Sequence, residues 1–416
     1  MVRDRIAARA PHHEVNPMTD QLDRRGTGLH VSDRFEEVMA RIGEIDPLLR
    51  AEADANEAGR RLTPRVEEAL HASGVYSISM PRDLGGLEFS PRQVIEVVEA
   101  LSRADASTGW VAMTLQMAIG TTAAYLGREP FAEIVAEAGG RALAAGQGTR
   151  PGRAVPVEGG FLLSGSWQFA SGLLHATHLH TAALVEGSGE VRVFTLPKQK
   201  ATIVDDWDVM GLRATGSVDY HCDEVFVPTE HTYLATTTEP LLGGAVFRLG
   251  LANFAGIQHV GWALGVGRRL LEEMQRVAAS KTGTPGGAGV DSAEFHADYA
   301  HAEATLRAAR AWNMEVWADI ESTLSAGGSP STEQETLARL ALSHVTSVAR
   351  EVGQIVYRWA GTSALRGGDL NRVFRDLHGG TQHVTSGPGV RHGCGRKLAG
   401  LAPDASWVFL ALVDPA

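Results

Sequence analysis

Cysteine is nearly absent from this 416-residue chain: only Cys222 and Cys394 occur, far apart and without metal-ligand spacing. That argues against a disulfide framework and a cysteine-held zinc, and it fits a reducing cytoplasm. No metal site is expected. No run of 18 apolar residues occurs, so no segment reads as a membrane-spanning helix. Residues 1–30 lack the apolar stretch of a secretory signal and read as a flexible tail, with Met18 an alternative start. Basic charge is also short: 38 Lys and Arg against 49 Asp and Glu give a formal net charge of −11. Nucleic acid and anionic membranes are therefore poor partners. A dinucleotide fingerprint is missing too, because Gly265-Val266-Gly267 lies inside a helical pattern with no strand before it.

What is present changes periodicity twice. Residues 31–139 read as an N-terminal α-helical domain. Asp33 and Glu36 have capping-box spacing, and Phe35, Val38, Met39 and Ile42 follow on one face. Thr63-Pro64 and Ser90-Pro91 read as N-caps with proline at the first helical position, and Val94, Val97, Val98 and Leu101 repeat at helical intervals. Residues 140–235 alternate with period two. "VPVEGGFLLSGSW" predicts a hairpin turning at Gly159-Gly160, and "HTAALV", "VRVFTLP" and "DEVFVP" predict further strands of a middle antiparallel β domain. Residues 236–416 return to helix. A long helix runs on from Leu251, with Gly261, Gly265 and Gly267 allowing close approach of a neighbour. Another helix starts near Phe295. A further one follows the Ser331/Gln334 capping box, with Leu337, Leu340, Val345, Val348, Val352 and Ile355 facing inward. The class is α+β, in the order helices, sheet, helices.

That order, together with three segments, resembles the acyl-CoA dehydrogenase fold over residues 33 to 400. The segments are "GGFLLSGSWQFASG" at 159–172, "WDVMGLRATGSVDYHCDEVFVP" at 207–228 and "WAGTSALRGGDLNRVFRDLHGGTQH" at 359–383. The resemblance implies a helical N-terminal domain, a β domain and a C-terminal four-helix bundle. It also makes a chemical demand. Oxidation of an acyl thioester needs a carboxylate base beside the flavin. In most such enzymes that base is a glutamate nine residues after the arginine of the Arg-Asp pair, here Val384. In others it lies on the long helix, but Leu251–Leu271 contains no Asp or Glu. Instead His383 stands eight residues after Arg375. Arg375-Asp376 followed by His383, Trp167-Gln168-Phe169-Ala170-Ser171-Gly172, and Ser107-Thr108-Gly109-Trp110-Val111 resemble the two-component flavin monooxygenases of this fold.

The resemblance implies reduced FMN or FAD, supplied by a separate reductase, reacting with O2 to a C4a-hydroperoxyflavin. That species would hydroxylate an aromatic, polyketide-like or amine substrate in a dry, closed site. Ser171 is the residue implied beside flavin N5, and His383 the catalytic acid–base group. The implied flavin contacts are Trp110, Gln147, Thr149, Phe169, Ser171 and Thr215. Lys281 is a weaker match to the cation that holds the diphosphate, and backbone amides of 361–368 come from a neighbouring subunit of an implied homotetramer. Several such hydroxylases carry a histidine eight residues after this tryptophan; Ala118 stands there instead, which implies a different substrate pocket. His378 reads as structural, and Arg375 with Asp376 as an ion pair fixing the last helix. Two rival readings remain: an acyl-CoA dehydrogenase-like desaturase with another base, and a binding protein that lost turnover.

Overall fold

The computed structural model describes residues 31–283 and 289–415; the expected tail over 1–30 and most of the 283–289 loop lie outside them. The N-terminal helices are α1 (Val31–Gly59), α2 (Pro64–Ser73), α3 (Pro91–Ala104), α4 (Ala106–Leu126) and α5 (Arg128–Glu137). α1 begins two residues ahead of the expected cap, so Asp33 lies in its first turn. There its charge complements the helix dipole. Val38 and Ile42 are buried as the pattern required. Thr63 caps α2. Ser90 caps α3 and forms a reciprocal capping box with Gln93, which supplies two orphan amides with acceptors.

The sheet comprises β1 (Ala144–Ala145), β2 (Gly152–Val157), β3 (Gly160–Ala170), β4 (His178–Val185), β5 (Val191–Pro197), β6 (Thr202–Val204), β7 (Val218–Pro228) and β8 (Thr232–Leu234). Its order is β6-β7-β3-β2-β4-β5-β8, with β1 beside β4. It is not wholly antiparallel as expected. β4 pairs in parallel with both β1 and β2. The reason is geometric: β3 returns on one side of β2, and β4 re-enters on the other side running in β2's direction. Strand order of this kind depends on a crossover, which strand periodicity does not record.

The C-terminal part contains α6 (Gly250–Lys281), α7 (Ala293–Ser325), α8 (Thr332–Ala360), α9 (Asp369–Gly380) and α10 (Pro388–Leu398), followed by a hairpin of β9 (Ser406–Val408) and β10 (Ala411–Val413). On α8 the inward stripe starts at Ala338 and continues through Leu342, Val345, Val352 and Val356, all buried. Leu337 is one residue off that stripe and is 37% exposed, which corrects its expected inward placement. No helix among the described residues is long and apolar enough to cross a membrane.

α6 lies directly against α3, and its glycines set the distance. A Cβ at Gly261 would stand 2.6 Å from the Ile95 carbonyl oxygen, and one at Gly265 would stand 2.4 Å from that of Glu99. The obstruction is backbone, which cannot swing away. Gly265→Leu is therefore expected to destabilise the fold by about 1–3 kcal/mol, as overpacking does. A lower midpoint in denaturant unfolding, at unchanged slope, would show it; an unchanged midpoint would mean that the two helices do not meet there.

Candidate active site

The site begins at the N-terminus of α4. Asp105 caps this helix, its carboxylate accepting from the Thr108 amide at 2.8 Å and the Thr108 hydroxyl at 2.7 Å. Gly109 lets α4 pack on α3, since a Cβ there would fall 2.7 Å from the Ser102 Cα. These two features seat Trp110, whose indole meets three rings edge-on: Trp262 at 5.0 Å, His259 at 5.1 Å and His383 at 5.6 Å between centroids. Such edge-to-face contacts add to the burial of the ring itself. The Trp262 N–H is spent on the Ala106 carbonyl at 3.0 Å. Gly380 leaves room for that ring, because a Cβ there would lie 2.0 Å from it.

The second component is the "WQFASG" turn ending β3. The β3–β7 register slips between Trp167 and Ala170, leaving Phe169 at φ 63° and 59% exposed. A non-glycine residue in that region carries strain and is common at functional sites. Asp219 pins the turn by accepting from the Phe169 amide at 3.1 Å and the Gln168 side chain at 3.0 Å. Trp207 meets Phe169 edge-on at 6.1 Å.

Ser171, two residues on, joins a chain of hydroxyls whose direction is fixed from its far end. Thr215 spends its one hydroxyl proton on the Leu212 carbonyl at 2.8 Å, and a carbonyl can only accept. Ser217 must then donate to Thr215 at 2.6 Å. Ser171 must in turn donate to Ser217 at 2.7 Å. The Trp110 N–H donates to Ser171 Oγ at 2.9 Å. Ser171 therefore has no proton left to give and one lone pair left to offer.

His383 follows α9, with its amide donating to the Gly380 carbonyl at 3.1 Å. Its Nδ1 accepts from the Thr385 amide at 3.4 Å and meets the Thr385 hydroxyl at 2.8 Å. An amide cannot accept, so Nδ1 is bare and the ring proton of neutral His383 sits on Nε2. Burial, and after it the neighbouring His259, hold this imidazole well below its ordinary pKa. The two imidazoles stack with centroids 3.8 Å apart and planes at 23°. His259 has the opposite tautomer: Nδ1 donates to the Ala255 carbonyl at 2.7 Å, leaving Nε2 as an acceptor. Burial lowers its pKa to about 4. The cluster thus pairs an acceptor hydroxyl with a donor imidazole and an acceptor imidazole; among the described residues no carboxylate is hydrogen-bonded to any of the three rings around Trp110.

Comparison with known proteins gives the family. Residues 31–131 match the acyl-CoA dehydrogenase N-terminal domain and residues 257–387 match the C-terminal domain. The indole-3-acetate monooxygenase of Pseudomonas putida is 31% identical over 374 residues, covering 88% of this chain and 91% of that protein. The chain belongs to the acyl-CoA dehydrogenase family, in its flavin-dependent monooxygenase branch. The oxygenase subunit HsaA of a flavin-dependent monooxygenase from Mycobacterium tuberculosis is 28% identical over 378 residues, 85% of this chain and 92% of HsaA. In fold, this monooxygenase is similar to the 3-HSA hydroxylase from Rhodococcus sp. RHA1, with a TM-score of 0.81, 23% identity and coverage of 88% and 97%.

Other expected residues of the monooxygenase are placed less centrally. Gln147 Nε2 donates to the Gln168 carbonyl at 3.1 Å, and its carbonyl oxygen accepts from the Thr149 amide at 2.9 Å. This loop therefore lies against the "WQFASG" turn. Lys281 donates to the Ala360 carbonyl at 2.7 Å, at the end of α8. His378 meets Phe374 and Gln354, not the cluster. Trp167 is core, stacked on Tyr220 at 5.2 Å. His259 and Trp262 were not read from sequence as site residues. The only available signal was their spacing of three, which puts both on one face of α6.

The expected Arg375–Asp376 ion pair does not form. Consecutive helical residues point about 100° apart, and Arg375 pairs with Glu57 at 2.6 Å while donating to the Met210 carbonyl at 2.8 Å. Asp376 turns inward and accepts from the Leu212 amide at 2.5 Å, and its second oxygen is buried without a partner. Burial first, then the charge of Asp105, push its pKa up to about 7. The fold therefore retains a proton that the unfolded chain has lost above its ordinary pKa of 3.8. This contribution is full below that value and fades as pH rises towards about 7. Asp376→Asn, which keeps the acceptor and removes the ionisation, is expected to gain stability relative to wild type between pH 5 and pH 8. Denaturant midpoints at both pH values measure this; a constant gap between the two proteins would contradict it.

Proposed function

We propose that this monooxygenase hydroxylates an aromatic substrate with reduced flavin delivered by a separate reductase. In this reading Ser171 holds the flavin at N5, and His383 supplies the hydrogen bond that assists oxygen transfer. The observation that carries the proposal is the fixed direction of the hydroxyl chain. A lone pair without a proton suits N5 of reduced flavin, which bears hydrogen, and disfavours N5 of oxidised flavin, which bears a lone pair. Reduced FMN and reduced FAD both carry that N5–H, so either satisfies the site.

The flavin supplies activation of O2 for transfer to an electron-rich carbon or nitrogen. The chain's own residues supply the remainder. Phe169 and Trp207 offer apolar surface to the ring system, and Gln147 to Thr149 offer backbone and side-chain polar groups beside it. Thr215 acts through Ser217 on Ser171. Trp110 excludes water from the Ser171 hydroxyl and fills one of its two lone pairs. His383, neutral and protonated on Nε2, can donate to the transferred oxygen and recover the proton afterwards. The tetramer implied by the fold would bring Lys281 and the 361–368 backbone of one subunit to the flavin diphosphate of another. The aromatic relatives, an indole-3-acetate monooxygenase and a resorcinol hydroxylase, support an aromatic substrate, as does the ring-lined cluster.

Rapid mixing tests the reading. Protein loaded anaerobically with reduced FMN or FAD and then mixed with oxygen is expected to show a long-lived absorbance belonging to neither reduced nor oxidised flavin. Immediate reoxidation would contradict the oxygenase reading. Ser171→Ala should shorten that lifetime and erase any preference for reduced over oxidised flavin. His383→Ala should leave reduced-flavin binding intact and cut hydroxylation by about 10²–10⁴-fold, the range typical of acid–base groups. Full coupling of oxygen use to product in His383→Ala would remove this residue from the reaction.

A further inference from the structure

His259 is the ring in this cluster with a buried polar atom left unmatched. Its Nδ1 is committed to the carbonyl one turn back on its own helix, which forces the lone pair onto Nε2. That nitrogen is buried and meets no donor. Buried acceptors in native proteins rarely stay unmatched, and those that do call for an explanation.

The surrounding donors are either committed elsewhere or wrongly oriented. The Trp110 N–H goes to Ser171 and the Trp262 N–H to the Ala106 carbonyl. His383 presents its ring face to His259 at 3.8 Å. An imidazole lone pair lies in the ring plane, so a stacked neighbour cannot donate into it. Gln258 has an unmatched side-chain nitrogen of its own, but its side chain joins Gln116, and residues adjacent on a helix do not face one another. Among the described residues the Nε2 lone pair therefore has no protein donor, and it lies within a cluster formed with Trp110, Trp262 and His383.

We propose that His259 Nε2 accepts the hydrogen bond of a protic group on the aromatic substrate, a phenol O–H or an indole N–H, and so selects rings that carry one. The role is recognition and not proton removal. An imidazole held near pKa 4 is about six units too weak a base to ionise a phenol of pKa about 10, so the proton stays on the substrate. A site built around an unmatched acceptor rejects analogues without the donor more strongly than a merely apolar site rejects a change of size. This rests on the reading of the cluster as the substrate side of the monooxygenase.

The test is calorimetric titration, without oxygen, of the full chain carrying reduced FMN, using phenol, indole, anisole and 1-methylindole as probes. Wild type is expected to bind phenol or indole about tenfold or more tightly than the methylated partner, the size of effect one buried hydrogen bond gives. The probe pair that shows the gap identifies whether O–H or N–H is read. His259→Phe keeps a ring for the stack and should close the gap, whereas His259→Gln, which retains an acceptor near the same place, should restore part of it. The inference is overturned if wild type binds neither protic probe, if it shows no gap, or if the gap persists in His259→Phe. Loss of the oxygen-dependent absorbance described above would sink the oxygenase reading, and it leaves these oxygen-free binding results to be judged separately.

Discussion

One hydrogen bond, from the Trp110 indole to Ser171 Oγ, joins the helical part of the chain to the sheet where the proposed chemistry would take place. The indole arrives from α4, capped by Asp105. The serine arrives from a bulged strand end pinned by Asp219. At 2.9 Å the contact takes one lone pair of the serine, and the hydroxyl chain through Ser217 and Thr215 takes its proton. What remains is a single acceptor whose orientation side-chain rotation cannot change without breaking two bonds. On the proposed reading, preorganisation of this kind would contribute because nothing has to be reordered when a flavin binds beside it.

The same carbonyl that ends the hydroxyl chain belongs to Leu212, a residue at φ 56°. Its amide is held by Asp376, so the helix carrying the Arg-Asp pair reaches the serine through a turn of the 207–217 loop. Gly211 permits this approach: a Cβ there would stand 2.0 Å from the Arg375 carbonyl oxygen. The adjacent end of α9 also delivers His383. Asp376 is thus a buried carboxyl with a raised pKa that couples two parts of the candidate site, and its unmatched oxygen is a stability cost carried within that framework. Local cost of this kind is common where geometry is held for chemistry.

Much of the fold was legible because its signals are local. Thr63, Ser90 and Ser331 announce their helices within four residues, and the hairpin expected at Gly159-Gly160 follows from alternation on both sides, the turn itself lying one residue earlier at Glu158-Gly159. The glycines of α6 were legible as a close-packing face, although not which helix they would meet. Ser171 and His383 came from a resemblance in motif, not from periodicity. Three features were not legible, and each depends on tertiary placement. The parallel β4 pairings require knowing on which side of β2 the chain returns. The Arg375–Asp376 pair was misread because adjacency in sequence is not adjacency on a helix. His259 was overlooked because its value lies in facing Trp110 and His383, which come from two other segments.

The central physical claim is that Trp110 and the hydroxyl chain hold Ser171 as a pure acceptor. Trp110→Phe keeps an aromatic ring in this position and removes the N–H along with part of the indole. The most direct measurement is the rate of hydrogen peroxide release after oxygen is mixed with protein carrying reduced flavin and no substrate. The account predicts slow release by wild type and release faster by about tenfold or more for Trp110→Phe, the scale of one lost hydrogen bond to a buried group. Equal rates in the two proteins would contradict it.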